Sequence, residues 1–154
     1  MSQTVKPIPE GYRSVTPYIT VKGGEAALEF YQKALGAKVR MKFQEPSGRL
    51  AHAEIEIGDS VVMMSDEFPE MGALSPKTLG GRTSSLLVYV TDVDVVFSRA
   101  IAAGGTVQRP VADQFYGDRV GTFEDPFGHA WSIATHVEDV SEEEMQRRMA
   151  AMKP

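Results

Sequence analysis

The strongest constraint on the fold is an internal repeat, in which one strand, one helix and three further strands follow each other in each half of the chain. Alternating and 3.6-residue hydrophobic periodicity predicts the segments of the first copy at 15–21, 25–35, 38–45, 49–57 and 60–66. The second copy opens with a strand at 84–90 and a helix at 94–103, and three extended stretches follow. Equivalent positions lie 68 to 70 residues apart, as from Gly36 to Gly104 and from Gly58 to Gly128. The sequence therefore predicts a duplicated βαβββ module.

A single module of this kind exposes a sheet face that it cannot cover alone. We therefore expect an α+β fold in which two βαβββ modules form one concave mixed sheet with the helices on the convex face. The predicted organisation is one domain over 1–154, with module one at 13–66, a linker at 67–83, module two at 84–137 and a C-terminal helix within 138–154. The segment 67–83 has two interpretations, a linker whose apolar residues pack on the sheet edge or a lid over the concave face. The methionine stripe of the C-terminal helix is typical of packing against its own body or a second subunit.

Composition excludes several classes of function. The chain of 154 residues has no cysteine, which excludes disulfide scaffolds, thiolate metal sites and cysteine nucleophiles. Its 21 acidic residues outnumber 16 scattered basic ones, so neither nucleic acid nor an anionic membrane is an expected partner. The first ten residues lack an apolar signal region, and the longest apolar run, 86–90, is too short to cross a bilayer. We expect a cytoplasmic location.

Two segments carry a resemblance to a known family. The helix segment 27–36, Ala-Leu-Glu-Phe-Tyr-Gln-Lys-Ala-Leu-Gly, and the turn 125–129, Asp-Pro-Phe-Gly-His, resemble the vicinal oxygen chelate superfamily of glyoxalases, bleomycin-resistance proteins and extradiol dioxygenases. Four further segments are similar to its PhnB-like branch: 15–19, 51–55, 64–66 and 131–136. The resemblance implies a homodimer that binds a small molecule in the concave cavity.

The superfamily's usual chemistry needs a divalent metal held by histidine and glutamate at four strand positions. Carried over onto this sequence, those positions are Thr16, Val62, Ser85 and Ser132. Hydroxyl and isopropyl groups are not ligands of a transition metal. The resemblance therefore predicts no standard metal site and no obligatory cofactor.

Strand parity suggests a polar binding surface instead, because alternate residues of a strand share one face. If Val62 and Ser132 face the cavity, the predicted ligand-binding set on that face is His52, Glu54, Glu56, Asp66, Glu124 and His136. In this interpretation His52 or Glu54 exchanges a proton, and Asp66 or His136 orients it. In the alternative, the carboxylates are solvated and the two histidines bond to backbone at strand ends.

These observations lead to a primary functional prediction and two alternatives. The first is a cytoplasmic PhnB-like protein that binds a small organic molecule without the standard metal. The second is a lyase, isomerase or dioxygenase that uses a noncanonical metal site or an acid–base pair around His52 and Glu54. The third is a dimeric interaction module whose cavity is filled by its own side chains.

Overall fold

A computed structural model describes residues 4–154, which divide into two compact units with the boundary between Arg82 and Thr83. The elements of the first unit are β1 (Tyr18–Val21), α1 (Gly24–Leu35), β2 (Lys38–Gln44), β3 (Leu50–Ile57), β4 (Ser60–Asp66) and α2 (Pro76–Leu79). The elements of the second are β5 (Ser85–Tyr89), α3 (Val93–Ala103), β6 (Thr106–Asp113), β7 (Asp118–Glu124), β8 (Ala130–His136) and α4 (Glu142–Ala151).

Each unit contains one four-stranded mixed sheet of the same topology. The strand orders are β1-β4-β3-β2 and β5-β8-β7-β6, with the first strand of each unit parallel to its neighbour and the other pairs antiparallel. The predicted α+β fold of two βαβββ modules is confirmed. The joining of the two sheets into one concave surface stays a prediction.

Each sheet has one face covered by its helix, here called the helix face, and an opposite far face. In the first unit α1 packs on β2, β3 and β4, and its buried residues repeat with helical spacing before the helix ends at Gly36, whose φ is 65°. In the second unit α3 covers β6, β7 and β8, with the Phe97 and Phe123 rings in edge contact 6.1 Å apart. Trp131, 1% exposed, lies in this second core.

The offset of 70 residues between the two copies, as from Gly58 to Gly128, is wrong by one residue for the last strand of each unit. Ile57 pairs directly with Ser60, whereas the longer turn after Glu124 is closed by the Asp125 N–H bonding to the His129 carbonyl. Asp66 therefore corresponds to Thr135, 69 residues later, and not to His136 as the shift of 70 predicted. An error of one residue in the alignment of a strand assigns each of its side chains to the wrong face of the sheet.

The segment 67–83 has its own structure. It contains a 3₁₀ turn at Pro69–Met71, a Phe68–Ala73 bridge and α2, which contacts β1. The guanidinium of Arg49 lies 3.9 Å from the centroid of the Phe68 ring. Met71 is 80% exposed and does not pack on the sheet edge as the linker interpretation expected. Whether the segment acts as a lid stays a prediction.

Candidate functional site

Four polar side chains form a continuous hydrogen-bonded row in the first unit, here called the His52 row: Tyr12, Glu54, His52 and Tyr18. The Tyr12 hydroxyl donates to Glu54 Oε2, and the other carboxylate oxygen, Oε1, lies 3.2 Å from His52 Nε2. His52 Nδ1 lies 3.0 Å from the Tyr18 hydroxyl. The row connects a buried carboxylate, 4% exposed, to a phenol that is 52% exposed.

Strand geometry explains why these side chains meet. His52 and Glu54 alternate with the buried Ala53 and Ile55 on β3, so they point to the far face. Met63 of β4 is the register partner of both Glu54 and Tyr18, which places Met63 between β3 and β1. The predicted sharing of one face by His52 and Glu54 is confirmed.

The charge on Glu54 is compensated inside the row. Burial by itself would raise the pKa of Glu54, but hydrogen bonds from Tyr12 and His52, with the charge of Arg40, hold that pKa below its ordinary value. The same bond to Glu54 raises the pKa of Tyr12. Arg40 also lies over the Tyr12 ring, 4.9 Å from its centroid. Glu54 is therefore an ionised acceptor, and Tyr12 is a neutral donor.

A cavity of about 430 Å³, here called the Met63 cavity, lies beside this row. Its lining is Pro7, Ile8, Pro9, Tyr12, Arg13, Ser14, Thr16 and Met63. Met63 provides an apolar, adaptable surface on the sheet, and the segment preceding β1 provides the rest of the lining. The cavity has the size of pockets that bind small organic molecules.

Asp66 lies on the helix face, so its predicted position beside His52 and Glu54 is wrong. Its Oδ1 accepts the N–H groups of Gly23 and Gly24 at 3.0 and 2.7 Å, and its Oδ2 accepts the N–H of Leu50 at 2.7 Å. The carboxylate thus satisfies donors at the start of α1 and ties β4 to β3. Val62 shares this face with Ile55, its register partner, and is 5% exposed.

The remaining predicted residues have separate surroundings. Glu56, on the inner strand β3, is exposed opposite Lys38 of the edge strand β2. Glu124, on β7, accepts a hydrogen bond from the Gln108 amide at 3.3 Å. His136 lies on the far face of the second sheet with Ser132, as predicted, because Trp131 and Ile133 fill the helix face. A binding role for the six residues stays a prediction.

A second polar row, the His136 row, consists of Tyr89, Asp118, His136 and Asp139. Asp118, 5% exposed, accepts from the Tyr89 hydroxyl and lies against His136 Nδ1, each at 2.7 Å. His136 Nε2 lies 2.7 Å from Asp139 Oδ1. Hydrogen bonds to Asp139 and Asp118 raise the pKa of His136, and bonds from Tyr89 and His136 lower the pKa of Asp118 against the effect of burial. The alternative interpretation expects His136 to bond to the backbone. The structure shows it bonded to two side-chain carboxylates instead.

The raised pKa of His136 predicts a pH-dependent contribution to stability. The imidazolium form stabilises the fold fully below about pH 6.5, the pKa of an unfolded histidine, and the contribution is lost as the pH rises through the folded-state pKa. We therefore expect the stability difference between the unmodified protein and His136→Asn to be largest at acidic pH and to shrink as the pH rises above about 6.5. Urea unfolding at several pH values measures it. Asp139→Asn should weaken this pH dependence, and a difference that grows with pH would contradict the assignment.

The four positions that correspond to the superfamily's metal ligands do not fit a metal. Thr16 Oγ1 donates to the Arg13 carbonyl, and Ser132 Oγ lies 2.7 Å from Thr122 Oγ1. The residue of β4 that corresponds to Ser132 is Met63 and not Val62. Tyr18 and Leu87 are equivalent, and their register partners are Met63 and Ser132. Within residues 4–154, no three histidine or acidic side chains are grouped so as to hold a metal ion. Hydroxyl and thioether groups are poor ligands for divalent transition metals.

Sequence reasoning missed Tyr12, Tyr18, Met63 and Asp118. Tyr12 precedes the repeated module, so no periodic pattern pointed to it. Tyr18 shares strand parity with Thr16, and that signal would have found it. Met63 was missed because the one-residue error in β4 put Val62 at the cavity-facing position.

The chain is similar to known proteins over most of its length. The sequence profile described as Glyoxalase/Bleomycin resistance protein/Dioxygenase superfamily matches residues 13–133. An uncharacterized protein of Mycobacterium bovis (strain ATCC BAA-935 / AF2122/97) is 38% identical over 141 residues, covering 90% of this chain and 93% of the relative. A lactoylglutathione lyase of Neisseria meningitidis (serogroup A) is 30% identical over 106 residues, covering 68% and 77%. The solved structure of the PhnB protein from Bacillus cereus has a TM-score of 0.62 at 18% identity and covers 80% of this chain and 99% of that one.

Proposed function

Because the chain belongs to the glyoxalase/bleomycin resistance protein/dioxygenase superfamily, we propose that it binds a small organic molecule in the Met63 cavity without the superfamily's standard metal. The observation that carries the proposal is a cavity of about 430 Å³ beside a row of hydrogen-bonded polar groups. Ligand pockets typically combine apolar walls with a few fixed polar groups. The homodimer and the cytoplasmic location predicted from the sequence are part of this proposal. Among the described helices, none combines the length and hydrophobicity needed to cross a bilayer.

The lining of the cavity defines the class of ligand. Pro7, Ile8 and Met63 offer an apolar surface to a ring or a short chain. Hydroxyl groups of Ser14 and Thr16 offer hydrogen bonds to one polar end of the ligand. We therefore expect a compact molecule with an apolar body and a polar substituent.

The second candidate is an enzyme of the same superfamily. The separation of 3.2 Å between His52 Nε2 and Glu54 Oε1 favours it, because a histidine oriented by a carboxylate is a general acid–base pair. The similarity to a lactoylglutathione lyase adds support.

Ligand binding is tested by thermal shift against a panel of phenols, aromatic acids and drug-sized heterocycles. A ligand at 100 times its Kd stabilises the folded state by about 2.7 kcal/mol, which raises the Tm by several degrees. We expect Met63→Arg to abolish the shift by filling the cavity. Met149→Arg is the matched control, since Met149 is 57% exposed on α4 in the other unit, and it should retain the shift.

The same preparation distinguishes the two candidates. Elemental analysis is expected to find no stoichiometric Zn, Ni, Mn or Fe. Equal shifts in both methionine variants would contradict binding in this cavity. A metal bound near one per chain would contradict the metal-free proposal and favour the enzyme.

A further inference from the structure

We propose that Glu54, His52 and Tyr18 form a proton relay whose exposed end, the Tyr18 hydroxyl, exchanges a proton with the bound ligand. This inference rests on the proposed function, because the ligand of the Met63 cavity would be the molecule that Tyr18 contacts. It assigns a catalytic role to Tyr18 and a positioning role to Glu54. The ligand class is a molecule with a weakly acidic hydroxyl, such as a phenol or an enol, since such a group can both donate a hydrogen bond to the Tyr18 oxygen and release its proton.

The hydrogen bonds of the row fix the direction of the relay. Glu54 is ionised and can only accept, so the proton of a neutral His52 lies on Nε2, 3.2 Å from Glu54 Oε1. His52 Nδ1 is then an acceptor, and the Tyr18 hydroxyl donates to it across 3.0 Å. The lone pairs of the Tyr18 oxygen remain for a ligand proton. The order is that of a nucleophile, a base and an orienting carboxylate.

Packing holds the inner part of the relay and leaves its outer end accessible. Glu54 is 4% exposed, and Tyr12 binds its second oxygen, so the carboxylate has one orientation. The Tyr18 and His52 rings are in contact, with centroids 5.6 Å apart. Tyr18 is 52% exposed and pairs in register with Met63 of the cavity lining. Tyr18 thus shares the far face of the sheet with Met63 on the neighbouring strand.

The transfer balances within the complex. The O–H bond of the ligand breaks and its proton passes to the Tyr18 oxygen, while the Tyr18 proton passes to His52 Nδ1. The ligand becomes an oxyanion and His52 an imidazolium, whose charge the Glu54 carboxylate stabilises. The reverse sequence returns the proton.

The relay is tested without a natural ligand by the reactivity of Tyr18 toward benzenesulfonyl fluoride. The phenol oxygen attacks sulfur, the S–O bond forms, the S–F bond breaks, fluoride leaves and the proton passes to His52. Tyr89 is the internal control, because it is 62% exposed and its hydroxyl binds the carboxylate of Asp118 instead of a histidine. We expect peptide mass spectrometry to show a labelling rate for Tyr18 that is at least about tenfold higher than that for Tyr89.

Variants separate the relay from simple exposure. His52→Gln should lower the Tyr18 to Tyr89 ratio to near one. Glu54→Gln should also lower the ratio to near one. Tyr12 donates to the amide oxygen, so the amide N–H₂ faces His52 Nε2. The imidazole proton then moves to Nδ1, which can no longer accept the Tyr18 proton. Adding Tyr12→Phe frees the amide to rotate and should restore much of the ratio, which a merely structural role for Glu54 would not predict.

Two results would overturn the relay: a ratio near one in the unmodified protein, or a ratio that His52→Gln leaves unchanged while circular dichroism shows a folded chain. Neither depends on ligand binding, which the comparison of Met63→Arg with Met149→Arg decides separately.

Discussion

Replacement of Asp66 by alanine is expected to lower the free energy of unfolding by about 3 kcal/mol or more. The carboxylate accepts three backbone N–H groups, from Gly23, Gly24 and Leu50. Alanine would leave these donors without their acceptor at the junction of α1, β3 and β4. Loss of an acceptor from a helix N-terminus costs about 1 kcal/mol, and the N–H groups of the two buried residues, Gly24 and Leu50, each add a similar amount when they lose their acceptor. Urea unfolding followed by circular dichroism measures the loss.

Three further variants define the role of Asp66. Asp66→Asn keeps one accepting oxygen and should lie between alanine and the unmodified protein. Asp59→Ala, which removes a carboxylate with an 80% exposed side chain, should change stability by less than about 0.5 kcal/mol. Thr135→Val removes the equivalent acceptor of the second unit, which binds one N–H, that of Val93, and should cost about 1 kcal/mol. Equal losses in Asp66→Ala and Asp59→Ala would contradict the structural role of Asp66.

Replacement of Gly117 by alanine is expected to cost about 2 to 4 kcal/mol. Gly117 has a φ of 100°, and a Cβ at this position would lie 2.1 Å from the Glu138 carbonyl oxygen. The Gly117 carbonyl also accepts the N–H groups of Val137 and Glu138, which hold the chain after β8 against the turn. The methyl group would force these two backbone segments apart. Fluorescence of Trp131, the single tryptophan and in the same unit, reports the unfolding.

Gly48 provides the matched control for Gly117. Both glycines close the turn between the second and third strands of their units, through Gly48 N–H to the Glu45 carbonyl and Gly117 N–H to the Gln114 carbonyl. Gly48 has a φ of 89°, and a Cβ there would have no atom of residues 4–154 within 4 Å apart from its chain neighbours. Gly48→Ala should therefore cost only the backbone strain, about 1 kcal/mol. If both alanine variants lose the same stability, the contact with Glu138 is not responsible.

Local patterns were sufficient for the order of strands and helices along each unit. The bounds of β2, β3 and β4 differ from the predicted ones by one residue at most. The first strand starts at Tyr18 rather than at residue 15, because Pro17 cannot donate a hydrogen bond to a neighbouring strand. Parity also placed His52 and Glu54 on one face correctly, since their buried neighbours Ala53 and Ile55 have the opposite parity.

The candidate site was predicted only in part. The pair of His52 and Glu54 was found from β3 alone. Tyr12 meets Glu54 through a contact between residues 42 positions apart, and no local pattern reports such a contact. Aligning the turn glycines Gly58 and Gly128 puts Asp66 on the face of the pair, although the two turns differ in length by one residue.

The sequence by itself determined the duplicated βαβββ module, the positions of its turns and the superfamily, because periodicity, turn glycines and short motifs are local properties of a chain. Tertiary structure decided the length of one turn, and with it the face on which Val62, Met63 and Asp66 lie. Side chains alternate along a strand, so a single inserted residue moves every later side chain to the opposite face. That alternation makes Asp66 a backbone acceptor at the start of α1 and brings Met63 to the cavity beside His52 and Glu54.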